Sequence, residues 1–383
     1  MNSSNYEIRL INEEKGKGLF ATSSFKDGDI ILTEKPLVFC QFSWNLEYGY
    51  LACDNCLKPL ETAQENLRRL TGSDMILHYP ECCETKKELI TECSECGTKY
   101  CSSDCQTEAY SRYHKTLCLH SKEKDESHPL VQLNETWKQM HYPPESATIM
   151  LLARMVAIVN QSNNKEDILS TFSQFCHRST NDVDQIAHKL LEEKFIGQID
   201  VLRHMMQKAL NTEFTSQWFT PDGFKNLLAL IGTNGQGIGT SPFSVWAKNV
   251  SALNPQEDGI CIDKYISHLY DEMDEVVGDF LNNEGSGLYV IQSAVNHSCV
   301  PNAIVEFPYS NNVLALKAIR DIQPGEEICI NYLDECDVER SRHSRQKALR
   351  SLYLFNCRCD KCLSQANDPD LTSEDESDDD TIN

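Results

Sequence analysis

The first fifty residues alternate between apolar and polar positions in short stretches. Tyr6-Glu7-Ile8-Arg9-Leu10, Gly18 to Ala21, Asp29 to Leu32 and Leu37 to Phe42 are separated by Gly, Lys and Pro turns, which predicts four short strands. From 51 to 118 the alternation gives way to a cysteine-rich stretch. Between 119 and 220 the period becomes helical. Apolar residues recur at three- and four-residue spacing over Thr148 to Val159, Gln185 to Leu191 and Gln198 to Leu210, and Asp222 to Ile231 predicts one more helix. Strand patterning returns from Gly287, in Leu288 to Ile291, Ala303 to Phe307, Val313 to Ala318 and Glu327 to Tyr332. Arg340 to Leu354 then reads as a helix that ends at a last cysteine cluster, and no internal repeat is visible. Strands at both ends with helices between them predict an α+β fold.

Charge narrows the possible partners. The chain of 383 residues carries 58 acidic and 35 basic side chains, a net charge of −23. That excludes broad phosphate-backbone binding, which needs a Lys/Arg surface, and it favours basic protein partners. No direct nucleic-acid contact is expected, since the cysteine-rich stretch has no strong basic surplus either. Asp368 to Asp380 holds eight carboxylates and no Lys or Arg. It reads as a solvated, disordered tail, or more sharply as an electrostatic lure for basic substrate. The N-terminus lacks the basic and apolar regions of a secretory signal. The longest apolar run, Ile149 to Val159, contains Arg154 and is too short to span a bilayer. The expectation is a monomer, cytoplasmic or nuclear, with no membrane contact.

The 18 cysteines then read as metal ligands rather than disulfides. Cys53-x2-Cys56, Cys93-x2-Cys96, Cys101-x3-Cys105 and His114-x3-Cys118 are four ligand pairs, enough for two tetrahedral zinc sites. Near the C-terminus Cys357-x-Cys359-x2-Cys362 supplies three ligands, and Cys299 is the natural fourth. Such a closed site is structural. Its closure would draw the C-terminal segment onto the turn Asn296-His297-Ser298-Cys299-Val300-Pro301-Asn302 and trap Tyr332 beside it. Three zinc ions are therefore predicted. Cys40, Cys176, Cys261, Cys329 and Cys336 lack paired spacing and read as small core residues.

Together the Asn-His-Ser-Cys turn, Gly325-Glu326-Glu327-Ile328-Cys329-Ile330-Asn331-Tyr332 and the C-terminal cysteines resemble the SET-domain lysine methyltransferases. Lys15-Gly16-Lys17-Gly18-Leu19-Phe20 is similar to the glycine turn that opens their S-adenosyl-L-methionine site. The array from Cys53 to Cys118 resembles a MYND zinc finger, so the chain resembles the SET-and-MYND family, in particular its short, acidic-tailed branch without a C-terminal helical repeat domain. The resemblance implies interleaved zinc ligands, first pair with third and second with fourth. It implies a SET domain begun by residues 1–50 and interrupted by a finger at 51–118 and a helical insertion at 119–220. Its core then spans 221–335, followed by a zinc-bound post-SET segment at 336–365 and an acidic tail at 366–383.

The implied roles follow residue by residue. Lys17 and Gly18 approach the cofactor through their backbone. Asn234, in Gly232-Thr233-Asn234-Gly235, falls at a cofactor-binding asparagine. Asn296 and His297 hold the amino-acid half of the cofactor, His297 mainly through its backbone. Phe355 stacks on the adenine. Tyr332 is the catalytic tyrosine, and Tyr289 is a candidate wall of the lysine channel. The glycine-rich Gly235-Gln236-Gly237-Ile238-Gly239 lacks a preceding strand and a P-loop lysine, so it is not a nucleotide loop. The implied function is methyl transfer to lysine of histone tails or other basic proteins. The rival is a weakly catalytic scaffold whose finger grips proline-containing peptides, and the joint presence of Asn296, Tyr332 and Phe355 speaks against it. The 36 residues between Cys56 and Cys93 exceed the family's spacing. They carry His78, Cys82 and Cys83 and read as a solvated loop, the alternative being a ligand swapped into the first zinc site.

Overall fold

The computed structural model describes residues 5–13, 15–123, 125–140, 148–176, 196–253, 261–278 and 281–370. Twelve strands lie among them: β1 (Tyr6–Asn12), β2 (Gly16–Ala21), β3 (Ile30–Glu34), β4 (Val38–Gln41), β5 (Thr91–Glu92), β6 (Lys99–Tyr100), β7 (Gln236–Thr240), β8 (Asn283–Leu288), β9 (Asn296–His297), β10 (Ala303–Glu306), β11 (Leu314–Ala318) and β12 (Glu327–Ile330). They form small sheets in the orders β1-β2-β12-β9, β10-β11-β3, β4-β8-β7 and β5-β6. The first sheet builds the site. β12 pairs antiparallel with β2, Glu327 opposite Phe20, and parallel with β9, Cys329 opposite Asn296 and Ile330 opposite His297. A strand from near the C-terminus thus lies between the N-terminal hairpin and the Asn-His turn.

The apolar alternation accounts for the core beneath. Leu19, Ala21, Leu32, Leu316, Ala318 and Ile328 are buried in one cluster. A larger cluster packs the helix Ile149–Gln161 against the finger and the helices Ile196–Leu210 and Pro221–Asn234. Arg154 interrupts that helix's apolar run and is buried. Asp54 of the finger meets its charge at 2.5 Å, and its guanidinium lies over the Tyr113 ring. The expected helix Gln185 to Leu191 and nearly all of the acidic tail lie outside the described residues.

Several expectations are corrected. The strand expected over Leu288 to Ile291 ends at Leu288, because the Glu34 carboxylate accepts the N–H groups of Ile291 and Gln292, both at 2.9 Å, and turns the chain into a single 3₁₀ turn, Gln292–Ala294. The glycine-rich run after Asn234 is β7, paired with β8 through facing small residues. Gly285 of β8 explains the small side chains, since a Cβ there would meet the Cys40 carbonyl at 2.5 Å. The segment between Cys56 and Cys93 is folded. Its helix Ala63–Thr71 has a reciprocal Thr62/Glu65 capping box and ends at Gly72 in the left-handed region. Leu67 and Leu70 pack with Trp246, Leu269 and Met273 of two later helices, Pro242–Leu253 and Ile262–Val277, which the patterning had not suggested. The Trp246 indole donates to the His78 carbonyl at 2.8 Å, and the Asn249 amide to that of Cys82 at 2.7 Å. This satellite core replaces the solvated loop, and neither Cys82 nor Cys83 joins a ligand set. Cys176, Cys261 and Cys336 are exposed rather than core residues, whereas Cys40 is buried and Cys329 half-buried.

Candidate active site and its metal clamp

Three four-ligand sets form among the described residues: Cys53, Cys56, Cys101 and Cys105; Cys93, Cys96, His114 and Cys118; Cys299, Cys357, Cys359 and Cys362. The finger pairs interleave, first with third and second with fourth. The donor spacings fit a tetrahedral zinc ion. With Zn–S bonds of 2.3 Å the sulfurs of such a site stand about 3.8 Å apart. Here Cys56 and Cys101 are 3.6 Å apart, Cys93 and Cys118 3.9 Å, and Cys299 and Cys362 3.6 Å. Cys96 Sγ lies 3.5 Å from His114 Nε2, as the shorter Zn–N bond requires. Exposed Glu95 and His120 also gather beside Cys118.

The third set packs against an aromatic group of Tyr332, Tyr353 and Phe355. Cys299 closes the Asn-His-Ser-Cys turn, and the helix Arg342–Tyr353 leads into the other three ligands. That helix ends at Leu354, which adopts φ of 60°, an uncommon conformation for a bulky residue. The turn lets both Tyr353 and Phe355 meet Tyr332: the ring of Tyr353 is 4.8 Å away, and Phe355 stands edge-on at 6.3 Å. His297 completes the aromatic wall at 5.5 Å from Tyr332 and 6.1 Å from Phe355.

Hydrogen bonds fix the wall. His297 Nδ1 accepts the Tyr332 backbone N–H at 3.0 Å, and Nε2 sits 3.3 Å from Cys299 Sγ. A ring accepting at Nδ1 carries its proton on Nε2 and points it at the sulfur. Burial pulls the imidazole down to about 4, so it stays neutral near pH 7. The Tyr332 hydroxyl donates to the Val295 carbonyl at 2.6 Å. Burial pushes that phenol well above its ordinary value. It therefore remains a phenol with its proton engaged and its oxygen lone pairs open to a donor.

On the neighbouring edge the Asn296 amide donates to the Lys17 carbonyl at 2.9 Å and to Glu327 Oε1 at 2.8 Å, while Lys15 Nζ lies 2.5 Å from Glu327 Oε2. Gly18 lies close against this edge: a Cβ there would fall 2.6 Å from Ile11 Cδ1 and 3.1 Å from Glu327 Oε1, so those side-chain ends would have to shift. A carbonyl, a carboxylate and an amide beside an aromatic wall fit a molecule with an ammonium group and a flat base, which is the make-up of S-adenosyl-L-methionine. Asn302 rivets this edge, donating to the Glu327 carbonyl at 2.8 Å and accepting the Cys329 N–H at 2.8 Å.

The SET domain family model matches residues 16–333. The chain belongs to the SET-domain family. It is 52% identical over 372 residues to the protein-lysine N-trimethyltransferase SMYD5 of Gallus gallus, covering 97% of this chain and 89% of that protein. The SMYD5 of Homo sapiens is likewise 52% identical over 371 residues, covering 96% and 88%. More distant is the histone-lysine N-methyltransferase SMYD3 of Mus musculus, at 26% identity over 96% of this chain and 64% of that protein. The SET match begins before the finger and ends beyond it.

The fold brings Lys17 and Gly18 of β2 beside Asn296, and His297 beside Tyr332 and Phe355. The His297 side chain does more than expected, because its ring orients both Tyr332 and Cys299. Asn234 is the last residue of its helix and its amide is engaged by the carbonyls of Cys176, at 2.6 Å, and Leu230, at 2.8 Å. Tyr289 is fully buried and its hydroxyl donates to the Asn312 carbonyl at 2.7 Å, so it is a core residue and not a channel wall. Tyr353 and Glu327 were missed as site residues. The signal for Tyr353 was its spacing, two residues before Phe355.

Proposed function

We propose that this chain is a protein-lysine N-methyltransferase that uses S-adenosyl-L-methionine. The observation that carries the reading is Tyr332, its hydroxyl held on the Val295 carbonyl inside an aromatic wall that the Cys299-Cys357-Cys359-Cys362 clamp fixes beside Asn296. Lysine methyltransferase relatives at 52% identity support it. The cofactor, when bound, supplies a methyl group on a sulfonium centre, electrophilic without help from a metal.

The chain's own residues present the amine. A lysine of pKa about 10.4 is mostly charged at pH 7, and presenting it neutral costs about 4–5 kcal/mol. The aromatic surfaces of Tyr332, Tyr353 and Phe355 disfavour the charged form by excluding water. The Tyr332 oxygen orients the nitrogen and faces the charge that develops there, a preorganised dipole that need not rearrange during transfer. Lys17, Gly18, Asn296 and Glu327 bind and orient at the other end. The clamp is closed by four protein ligands, so its part is to hold Phe355 and Cys299 in place.

The substrates in this reading are lysine-bearing segments of basic proteins, histone tails among them, drawn by the −23 net charge. Relatives named as N-trimethyltransferases favour successive transfers to one lysine. The finger is a site for proline-containing peptides in the same reading, and the enzyme acts as a monomer in cytoplasm or nucleus. Incubation with methyl-labelled cofactor and a cell extract tests the reading. Label should enter protein lysines with the native chain and fall to background with Tyr332→Phe. Label that is equal with both sinks it.

A further inference from the structure

We propose that Glu34 is a positioning residue for methyl transfer: through the turn that follows β8 it fixes the Val295 carbonyl, and so keeps the Tyr332 proton off the attacking amine. The inference rests on the methyl-transfer reading. Glu34 ends β3, opposite Leu314 of β11, in a sheet separate from the catalytic one. Its side chain binds outside that sheet. Oε1 accepts the Ile291 N–H and Oε2 the Gln292 N–H, both at 2.9 Å, and the Val290 N–H supports the carboxylate as well. Among the described residues no basic side chain pairs with it. A half-buried carboxylate held only by the backbone of one turn commits its charge to that turn. Hydrogen bonds to an ionised acceptor are stronger than neutral ones, so the turn is stiffly held.

Further bonds carry the constraint to the phenol. The Ser293 N–H donates to the Tyr289 carbonyl at 3.0 Å, the Ala294 N–H to the Ile291 carbonyl at 3.0 Å and the Val295 N–H to the Gln292 carbonyl at 2.9 Å. The two residues whose N–H groups Glu34 takes thus supply the carbonyls that hold Ala294 and Val295. The Val295 carbonyl in turn accepts the Tyr332 hydroxyl at 2.6 Å. That last bond decides which part of the phenol faces the amine. A neutral amine has one lone pair. It makes the new N–C bond with that pair while the electrons of the S–C bond stay on sulfur, and the product ammonium then passes its extra proton to water. A phenol proton turned onto the lone pair would occupy it. With the proton held on Val295, Tyr332 presents acceptor pairs alone, and the nitrogen pair stays free for attack. A slack turn would let the hydroxyl rotate, and the tyrosine would then oppose the step it serves.

The test uses the full chain and reads single-turnover transfer of label from methyl-labelled S-adenosyl-L-methionine into a cell extract. Enzyme is in excess, so that the slow residual rate of Tyr332→Phe can still be measured. Glu34→Gln sets an amide NH₂ against one of the two backbone donors. It should slow transfer about 10–100-fold, the scale of a slight misplacement of a catalytic group, with zinc content and S-adenosylhomocysteine affinity close to native. In the Tyr332→Phe background the same substitution should change the rate by less than about twofold, because residues that act through one group are non-additive. Glu34→Asp keeps the charge on a shorter arm and should fall between native and Glu34→Gln. It carries the same comparison if zinc content shows that the Gln variant does not fold. Three results would overturn the proposal: native rates in both Glu34 variants, a drop of undiminished size in the Tyr332→Phe background, or a loss of cofactor affinity that accounts for the lower rate. A native chain that labels protein lysines but is indifferent to Glu34 loses only this inference. A native chain that labels no protein fails the underlying reading.

Discussion

The finger and the C-terminal clamp use one chemistry for different ends. The finger's eight ligands lie at the margin of the molecule's largest apolar cluster, beside Tyr100, Tyr113 and Trp137. It is also tied to the helix Ile149–Gln161 by Asp54 and Arg154. The clamp has little beneath it. Its buried cluster consists of Leu333, Leu349 and three of its own cysteines. Zinc and core would share the load in the finger, whereas in the clamp a bound zinc would largely take the place of a core, as small units with little to bury require. The clamp alone touches the catalytic wall, through Cys299 and His297 and through the short step from Cys357 to Phe355.

The comparison breaks most readily at Cys299. Cys299→Ser should lose the clamp zinc and, with it, cofactor binding and nearly all transfer, whereas Cys101→Ser in the finger should lose one zinc and leave cofactor affinity within about threefold, as distant sites usually act independently. Metal content by mass spectrometry beside calorimetric cofactor titration reads both. Equal loss of cofactor affinity in the two variants would erase the distinction.

Tyr332→Phe separates chemistry from assembly. Single-turnover transfer should fall about 10²–10³-fold, with zinc content intact and cofactor affinity within a few-fold of the parent. An unchanged rate would make Tyr332 a packing residue. Leu67→Ala sharpens the contrast from the metal-free side. It should cost about 2–5 kcal/mol of stability, seen as a lower denaturation midpoint, without changing zinc content. Loss of a zinc ion in that variant would show that the satellite core and the finger fold as one unit. The smallest effect is assigned to the tail. Truncation after Ala366 should raise the apparent KM for lysine-rich peptides a few-fold at low salt, with kcat unchanged, and the effect should fade near physiological ionic strength, where the Debye length is about 8 Å. Equal KM values at low ionic strength would leave the tail without a part in substrate capture.

What the sequence revealed follows from the range of the forces involved. Metal ligands two or three residues apart are legible because a tetrahedral site imposes local spacing; eleven of the twelve are marked that way, and Cys299 was reached because three cysteines need a fourth ligand. The inner strands β2 and β12 are legible because Leu19 and Ala21 of one and Ile328 and Ile330 of the other are buried, whereas β1 leaves Ile8 and Leu10 exposed. The satellite core is not. Leu67 and Leu70 complete their surface only with Trp246 and Leu269, nearly two hundred residues on, so each half resembles solvated chain by itself. Tyr289 misled because a resemblance gives a position along the chain and not the burial of its side chain.

The position of β12 between β2 and β9 also sets an order of events during synthesis. The central strand of the catalytic sheet is the last of the four to leave the ribosome. The finger's ligands are complete at Cys118, but the clamp must wait for Cys362, more than 200 residues later. At ordinary elongation rates that interval is roughly 10–50 s. During it the nascent chain can hold two zinc ions and still have no closed clamp, so catalytic competence has to wait for Cys362.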